Sequence, residues 1–245
     1  QWLTQISRPD KAYQGVALAT KLGKASKEDA RSAYRTLKDM MENPETIKFP
    51  VLKGGLSITT YTDSSWGKLA GYETVNGSLT FVQDSKGSAA IIDWQSVKMA
   101  TPAASPLAGE AEAALSGLSR IEWIRSLASD MGFPSMEAVL ITDSKSLCET
   151  VRTTTVTKDK RAMVAIANLR RVDSLRVEVL WDSAKYQLAD NLTKNTSQTR
   201  SEELRTALSR GKLETRGESE PARMTKAATT ERDKSRSESG RGESQ

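Results

Sequence analysis

Histidine is missing from all 245 residues, and cysteine occurs once, at Cys148. The first absence removes Ser-His-Asp and Cys-His triads, histidine zinc sites and histidine general bases. The second rules out an intrachain disulfide and with it a stapled secreted scaffold. Catalysis in this chain would have to run on carboxylates, amines or hydroxyls. No apolar run approaches the roughly 20 residues of a membrane span, and no signal peptide opens the sequence. It starts Gln1-Trp2-Leu3 rather than with Met, which suits a piece of a longer intracellular polypeptide. Aromatics make up 5% and apolar residues 37%, with a mean hydropathy of −0.51, so a polar stretch is expected to dilute an ordinary core. Thirty-six basic against thirty-one acidic residues leave a net charge of +5, which permits nucleic-acid binding without demanding it.

The pattern of what is present changes along the chain. Residues 1–55 carry helical periodicity: Tyr13, Val16 and Ala17 share a face, and Ser26-x-x-Asp29 has capping-box spacing before Ala33, Leu37 and Met40. From Leu56 the texture is that of strands, in Leu56–Thr60, Leu79–Val82 and Ala89–Trp94, with Asp84-Ser85-Lys86-Gly87 as a turn. A long helix follows Pro106 and ends at Gly132-Phe133-Pro134. A compact strand, Ala138–Thr142, runs into Asp143, and helices are expected over 144–151 and 158–171. Arg176–Trp181 alternates as a last strand before Gln187–Lys194. A helix through Leu204, Leu208 and Leu213 is possible. Beyond Gly217 the composition cannot offset ordering entropy and disorder is expected. This order, β-β-β-α-β-α-α-β, implies an α/β fold with helices packed on a mixed sheet. The expected division is 1–55, 56–195 and a polar tail, 196–245.

Four acids fall where phosphodiester chemistry would want them: Asp63 on the first strand, Glu112 on the long helix, Asp143 after the compact strand and Asp190 in Gln187-Leu188-Ala189-Asp190. Two Mg²⁺ ions about 3.5–4 Å apart can clamp a scissile phosphate, and hard cations take carboxylate oxygens without any histidine. Each acid alone has a plainer explanation. Asp63 would be a strand-end residue, Glu112 the polar edge of a helix, Asp143 an N-cap before Ser144, and Asp190 a cap or a solvated charge. The ordered set on those elements is what raises the chemistry above the plainer alternative.

The wording around these acids resembles the ribonuclease H region of copia-type retrotransposon polyproteins. Tyr61-Thr62-Asp63-Ser64-Ser65-Trp66, Glu110-Ala111-Glu112 and Ile141-Thr142-Asp143-Ser144-Lys145-Ser146-Leu147 match three of its motifs. The unbroken Gln187-Leu188-Ala189-Asp190-Asn191-Leu192-Thr193-Lys194 is the most specific match. Ile6-Ser7-Arg8-Pro9-Asp10 is similar to the segment that joins reverse transcriptase to ribonuclease H there. The resemblance spans about residues 1–195. It departs from the family at Ala113, where an aromatic is usual, and at Lys160-Arg161-Ala162-Met163, which keeps only basic character. The polymerase signature Tyr-x-Asp-Asp is absent.

The resemblance implies a ribonuclease H-like fold and cleavage of the RNA strand of RNA–DNA hybrids during reverse transcription. It implies Mg²⁺, with Mn²⁺ as a substitute, held by Asp63, Glu112, Asp143 and Asp190. Glu112 is the ligand by that match, and Glu110 assists or is merely solvated near the helix start. The partners implied are the hybrid and the reverse transcriptase portion of the same polyprotein, inside the cell, in a cytoplasmic particle or the nucleus. Proofreading exonucleases want Asp-x-Glu on the first strand, where this chain has Asp63-Ser64-Ser65, and integrase cores place their Glu on a late helix. The remaining alternative is a decayed domain serving as a nucleic-acid-binding or scaffold module. Lys86, Lys98, Lys145, Lys158, Lys160 and Arg161 are candidate phosphate contacts, while Trp66 and Trp94 suit core or rim positions better than stacking platforms.

Overall fold

The computed structural model describes residues 2–67, 73–153 and 159–213. The expected disordered tail beyond Gly217 and the candidate contact Lys158 lie outside these residues. Three N-terminal helices come first: α1 (Trp2–Ile6), α2 (Ala12–Ala19) and α3 (Lys27–Glu42). They are followed by strands β1 (Leu56–Ser65), β2 (Val75–Asp84) and β3 (Ala89–Lys98), then helix α4 (Pro106–Asp130) and β4 (Glu137–Thr142). The order closes with α5 (Lys145–Arg152), α6 (Lys160–Leu169), β5 (Val177–Trp181), α7 (Asp190–Thr193) and α8 (Gln198–Arg210).

The strands form one sheet in the order β3-β2-β1-β4-β5. The first three make an antiparallel meander, and β4 and β5 add to β1 in parallel. This is the ribonuclease H-like arrangement that the sequence resemblance implies. All three meander strands are longer than their apolar runs suggest. Most of the extra residues are polar, among them Thr62, Ser64, Asn76, Ser78 and Ser96, and have ladder partners on the neighbouring strand, so pairing carries them where hydrophobic pattern does not.

Alternation along the strands sorts two cores onto opposite faces of the sheet. Ile58, Val82 and Leu140 point to one side, where they meet Leu118, Ile121 and Ile124 of α4 with Leu147, Ile166 and Leu169 of α5 and α6. Tyr61, Leu79 and Phe81 point to the other, against Ala12 of α2, Leu192 of α7, and Leu204 and Leu208 of α8. The helix ends are fixed by side chains the sequence supplies. Ser26 and Asp29 form the reciprocal capping box of α3, Ser105 caps α4 with Pro106 at its first position, and Asp159 caps α6.

Packing does not break at 55/56 or at 195/196, the divisions suggested by the sequence. The described residues form one compact unit. Tyr13 and Val16 of α2 pack on Val75, the Trp94 indole donates to the Thr4 carbonyl at 3.1 Å, and Leu204, Leu208 and Leu213 are buried. The Arg8-Pro9-Asp10 segment has a structural use: Arg8 and Asp10 are both buried, paired through two 2.8 Å hydrogen bonds, and Arg8 also donates to the Met40 carbonyl at 3.0 Å.

Helix α4 approaches β1 closely because its sheet-facing side is built from small residues. A Cβ on Gly117 would come within 2.5 Å of Thr62 Cγ2 and 3.2 Å of Thr60 Cγ2, and one on Gly109 within 2.6 Å of Ser64 Oγ. Gly117→Val is therefore expected to destabilise the fold by about 1–3 kcal/mol despite relieving a helical glycine. Urea denaturation of the variant against the parent protein measures the difference, and an unchanged midpoint would show that α4 can shift freely.

Candidate active site

The parallel pairing of β1 with β4 sets the site. Its register runs from Ser57 opposite Glu137 to Tyr61 opposite Ile141. Two residues further along each strand stand Asp63 and Asp143, carried forward side by side by the same offset. Neighbouring strands lie roughly 4.8 Å apart, so two carboxylates at matching positions are near one another before any tertiary packing is considered. Asp143 is not an N-cap. Ser144 takes that task, its Oγ accepting from the Leu147 N–H at 3.3 Å, and the Asp143 carboxylate stays available. The Trp181 indole fixes the turn by donating to the Asp143 carbonyl at 3.0 Å.

The third carboxylate is Glu110, and here the structure corrects the sequence-based assignment to Glu112. One oxygen from each of Asp63, Glu110 and Asp143 lies within 4.8 Å of the others. At about 100° per residue, position 110 falls in line with Gly117 and Ile121, at the centre of the buried face of α4. Position 112 is turned about 160° away. Glu112 instead lines an open cavity with Ala108, Arg161 and Val164. The resemblance weighed the residues that follow the glutamate. The usable signal was the stripe of small residues at Gly109, Ala113, Ala114 and Gly117, which marks the side that touches the sheet.

Asp190 is adjacent but differently engaged. Its carboxylate pairs with Lys194 at 2.7 Å through one oxygen and with Arg200 through the other, and it is not among the three mutually close acids. Helix α7, on which it sits, is pressed against β2 at Gly77, directly opposite Asp63 in the β1–β2 ladder. A Cβ there would come within 2.7 Å of Thr193 Cγ2 and 2.8 Å of Leu192 Cβ. That close approach brings the Thr193 hydroxyl onto Asp63 Oδ2. Gln187 secures the same segment by donating to the Thr62 carbonyl at 3.0 Å, and Ser96 donates to the Leu192 carbonyl at 2.5 Å. Sequence reasoning missed Thr193, Lys194 and Arg200 as site residues, although the first two belong to the motif it singled out.

Crowding shows in the electrostatics. Burial pushes the Glu110 carboxyl well above its ordinary range, the charges of Asp63 and Asp143 push it further, and the Ser64 backbone N–H and Lys194 offset part of this. Asp143 is raised in the same way, first by burial and then by Asp63, against Lys194 and Arg200. Among the described residues, Oε2 of Glu110 is buried with no hydrogen-bond partner. An unpartnered buried oxygen on a carboxylate crowded by two others is costly unless a cation or a proton completes it.

The candidate phosphate contacts are spread over several elements. Lys98 pairs with Glu73 at 2.8 Å, Lys86 sits in the turn at the far end of β2, and Lys145, Lys160 and Arg161 are exposed at helix starts. Trp66 is 49% exposed and donates to the Ala103 carbonyl at 2.9 Å.

No family model matches the sequence, and no curated protein matches it. Among solved structures the chain is similar to a ribonuclease H1 isolated from compost by a metagenomic approach, with a TM-score of 0.43 and 17% identity over 56% of this chain and 92% of that one. It is similar to ribonuclease H1 from the halophilic archaeon Halobacterium salinarum, with a TM-score of 0.40 and 16% identity over 56% and 94%. A foamy viral protease-reverse transcriptase, solved in complex with an RNA/DNA hybrid, matches with a TM-score of 0.40 and 14% identity, over 69% of this chain and 26% of that longer one.

The raised Glu110 carboxyl has a consequence for stability with a definite sign. A group that holds its proton more tightly when folded contributes stability that is fully present below its unfolded pKa, and that stability is lost as pH rises through the folded value. In EDTA the parent protein should therefore melt at a lower temperature at pH 8 than at pH 5.5. Glu110→Gln, which cannot ionise, should show a smaller decline, whereas Glu112→Gln should follow the parent. Equal declines in the parent and Glu110→Gln would show that this carboxyl is not under strain.

Proposed function

We propose that the protein hydrolyses phosphodiester bonds in the RNA strand of RNA–DNA hybrids, using a divalent cation held by Asp63, Glu110 and Asp143. The observation that carries this reading is the convergence of three carboxylates from β1, α4 and the end of β4, one with a buried oxygen that no described residue satisfies. The donor set fits the group: hard carboxylate oxygens, with no histidine or thiol among them, suit Mg²⁺, with Mn²⁺ able to replace it. When bound, such an ion lowers the pKa of water and stabilises charge on a phosphate.

The chain's own residues orient these donors. The Thr193 hydroxyl and Lys194 hold one oxygen of Asp63 and leave the carboxylate facing Glu110 and Asp143. Ser64 steadies Glu110 through its backbone N–H, and the close contact at Gly109 keeps the start of α4 on β1. Asp190 supports the site from beside it, through Lys194. The preference for a hybrid rests on the motifs Tyr61–Trp66, Ile141–Leu147 and Gln187–Lys194, whose wording resembles the copia-type ribonuclease H region. On the same grounds we place the domain in a retrotransposon polyprotein, acting inside the cell beside its reverse transcriptase portion.

The test is incubation of the purified protein with labelled RNA–DNA hybrid, single-stranded RNA and duplex DNA, with Mg²⁺ or with EDTA. The expected result is internal cleavage of the RNA within the hybrid only, lost in EDTA. Asp63→Asn, Glu110→Gln and Asp143→Asn should each reduce the rate by more than the roughly 10–100-fold that removal of an outer-shell partner costs. Glu112→Gln should cut at close to the parental rate. Cleavage undiminished in excess EDTA would overturn the metal reading. Tight hybrid binding with no cleavage under any divalent cation would favour a decayed binding module.

A further inference from the structure

Among the described residues, Lys194 is the one side chain whose ammonium group links two of the site's acids. It closes α7 as the residue after Thr193, and its Nζ lies 2.7 Å from Asp190 Oδ1 and 3.7 Å from Asp63 Oδ2. Both carboxylates are almost completely buried, while the lysine is about a quarter exposed, at 26%. Its charge is also felt by Glu110 and Asp143. Arg200, from the first turn of α8, holds the other Asp190 oxygen and completes a cation–carboxylate–cation arrangement. Lys194 is thus a positive charge fixed by the backbone at the edge of the carboxylate group. Asp190 shares its two oxygens between two cations of the chain.

Resting on the metal-binding reading above, we propose that Lys194 is a tethered counter-cation that competes with the divalent ion for the edge between Asp63 and Asp190. It thereby sets how tightly the site holds metal. A cation of fixed position next to the ligands has two opposed effects. It lowers repulsion among the acids and so stabilises the fold without metal, and it repels an incoming divalent ion and so weakens binding. Asp190 acts in the same device as a positioning residue, holding the ammonium group near Asp63 rather than donating to the metal. The lysine's partial exposure gives it room to move outward when the ion enters.

The experiment is Mn²⁺ titration of the full chain, by calorimetry and by the paramagnetic resonance signal of free Mn²⁺, together with melting in EDTA. The parent protein is compared with Lys194→Gln, Lys194→Met, Lys194→Arg, Lys86→Gln and Asp63→Asn. Removing the charge in Lys194→Gln or Lys194→Met should tighten Mn²⁺ binding by about tenfold and lower the metal-free melting temperature. Lys194→Arg keeps the charge and should resemble the parent. Lys86→Gln makes the same change in net charge in the far turn of β2 and should leave affinity unchanged. Two results would overturn the proposal: parental or weaker binding in both neutral variants, or equal tightening in Lys86→Gln. If the parent binds no Mn²⁺, or Asp63→Asn binds it as well as the parent, the metal site itself fails and the proposal with it.

Discussion

Like charges brought together at the end of a sheet govern much of this structure. Parallel pairing of β1 and β4 places Asp63 and Asp143 at equivalent points on neighbouring strands, and the small-residue face of α4 adds Glu110. None of these acids could be held so close without compensation, since burying charge without a partner is expensive. The surroundings supply that compensation piece by piece. Thr193 donates to Asp63, Lys194 bridges to Asp190, and Arg200 reaches in from α8. Elements far apart in sequence are drawn into one region because each carries a group that the carboxylates need.

That dependence also explains why the glycines at the site differ from ordinary turn glycines. Gly77 and Gly109 have no unusual backbone conformation to support. They are small because another segment passes over them, α7 across β2 and α4 across β1. A methyl group at either would separate a site residue from its partner by a few tenths of an ångström or more. Precision here comes from close backbone contact and less from side-chain packing.

The fold was legible where residue pattern is local. Element order, the capping box at Ser26 and Asp29, and the placement of Asp63 on β1 and Asp143 just after β4 all follow from periodicity and turn chemistry. Glu110 was harder, because the Glu110-Ala111-Glu112 motif offers two glutamates two residues apart, and only the direction of the helix face separates them. The small residues that define this face contribute little to a hydrophobic pattern, so apolar periodicity understates them. Asp190 was expected among the metal ligands, but its pairing with Lys194 and Arg200 was hidden, because Arg200 lies in a polar stretch that resembles the start of a tail. The same polarity obscured α8, whose two leucines, Leu204 and Leu208, carry its packing.

The position of α8 has a temporal meaning for a chain made from its N-terminus. Asp63, Glu110 and Asp143 emerge early, when nothing yet balances them, while Thr193, Lys194 and Arg200 arrive last. A compact domain generally folds as a unit, and here that unit is incomplete until α7 and α8 have been made. The closing of α7 over Gly77 and the docking of Leu204 and Leu208 would then be the step that brings the carboxylates to rest. A nascent chain would carry the three acids well before the groups that balance them.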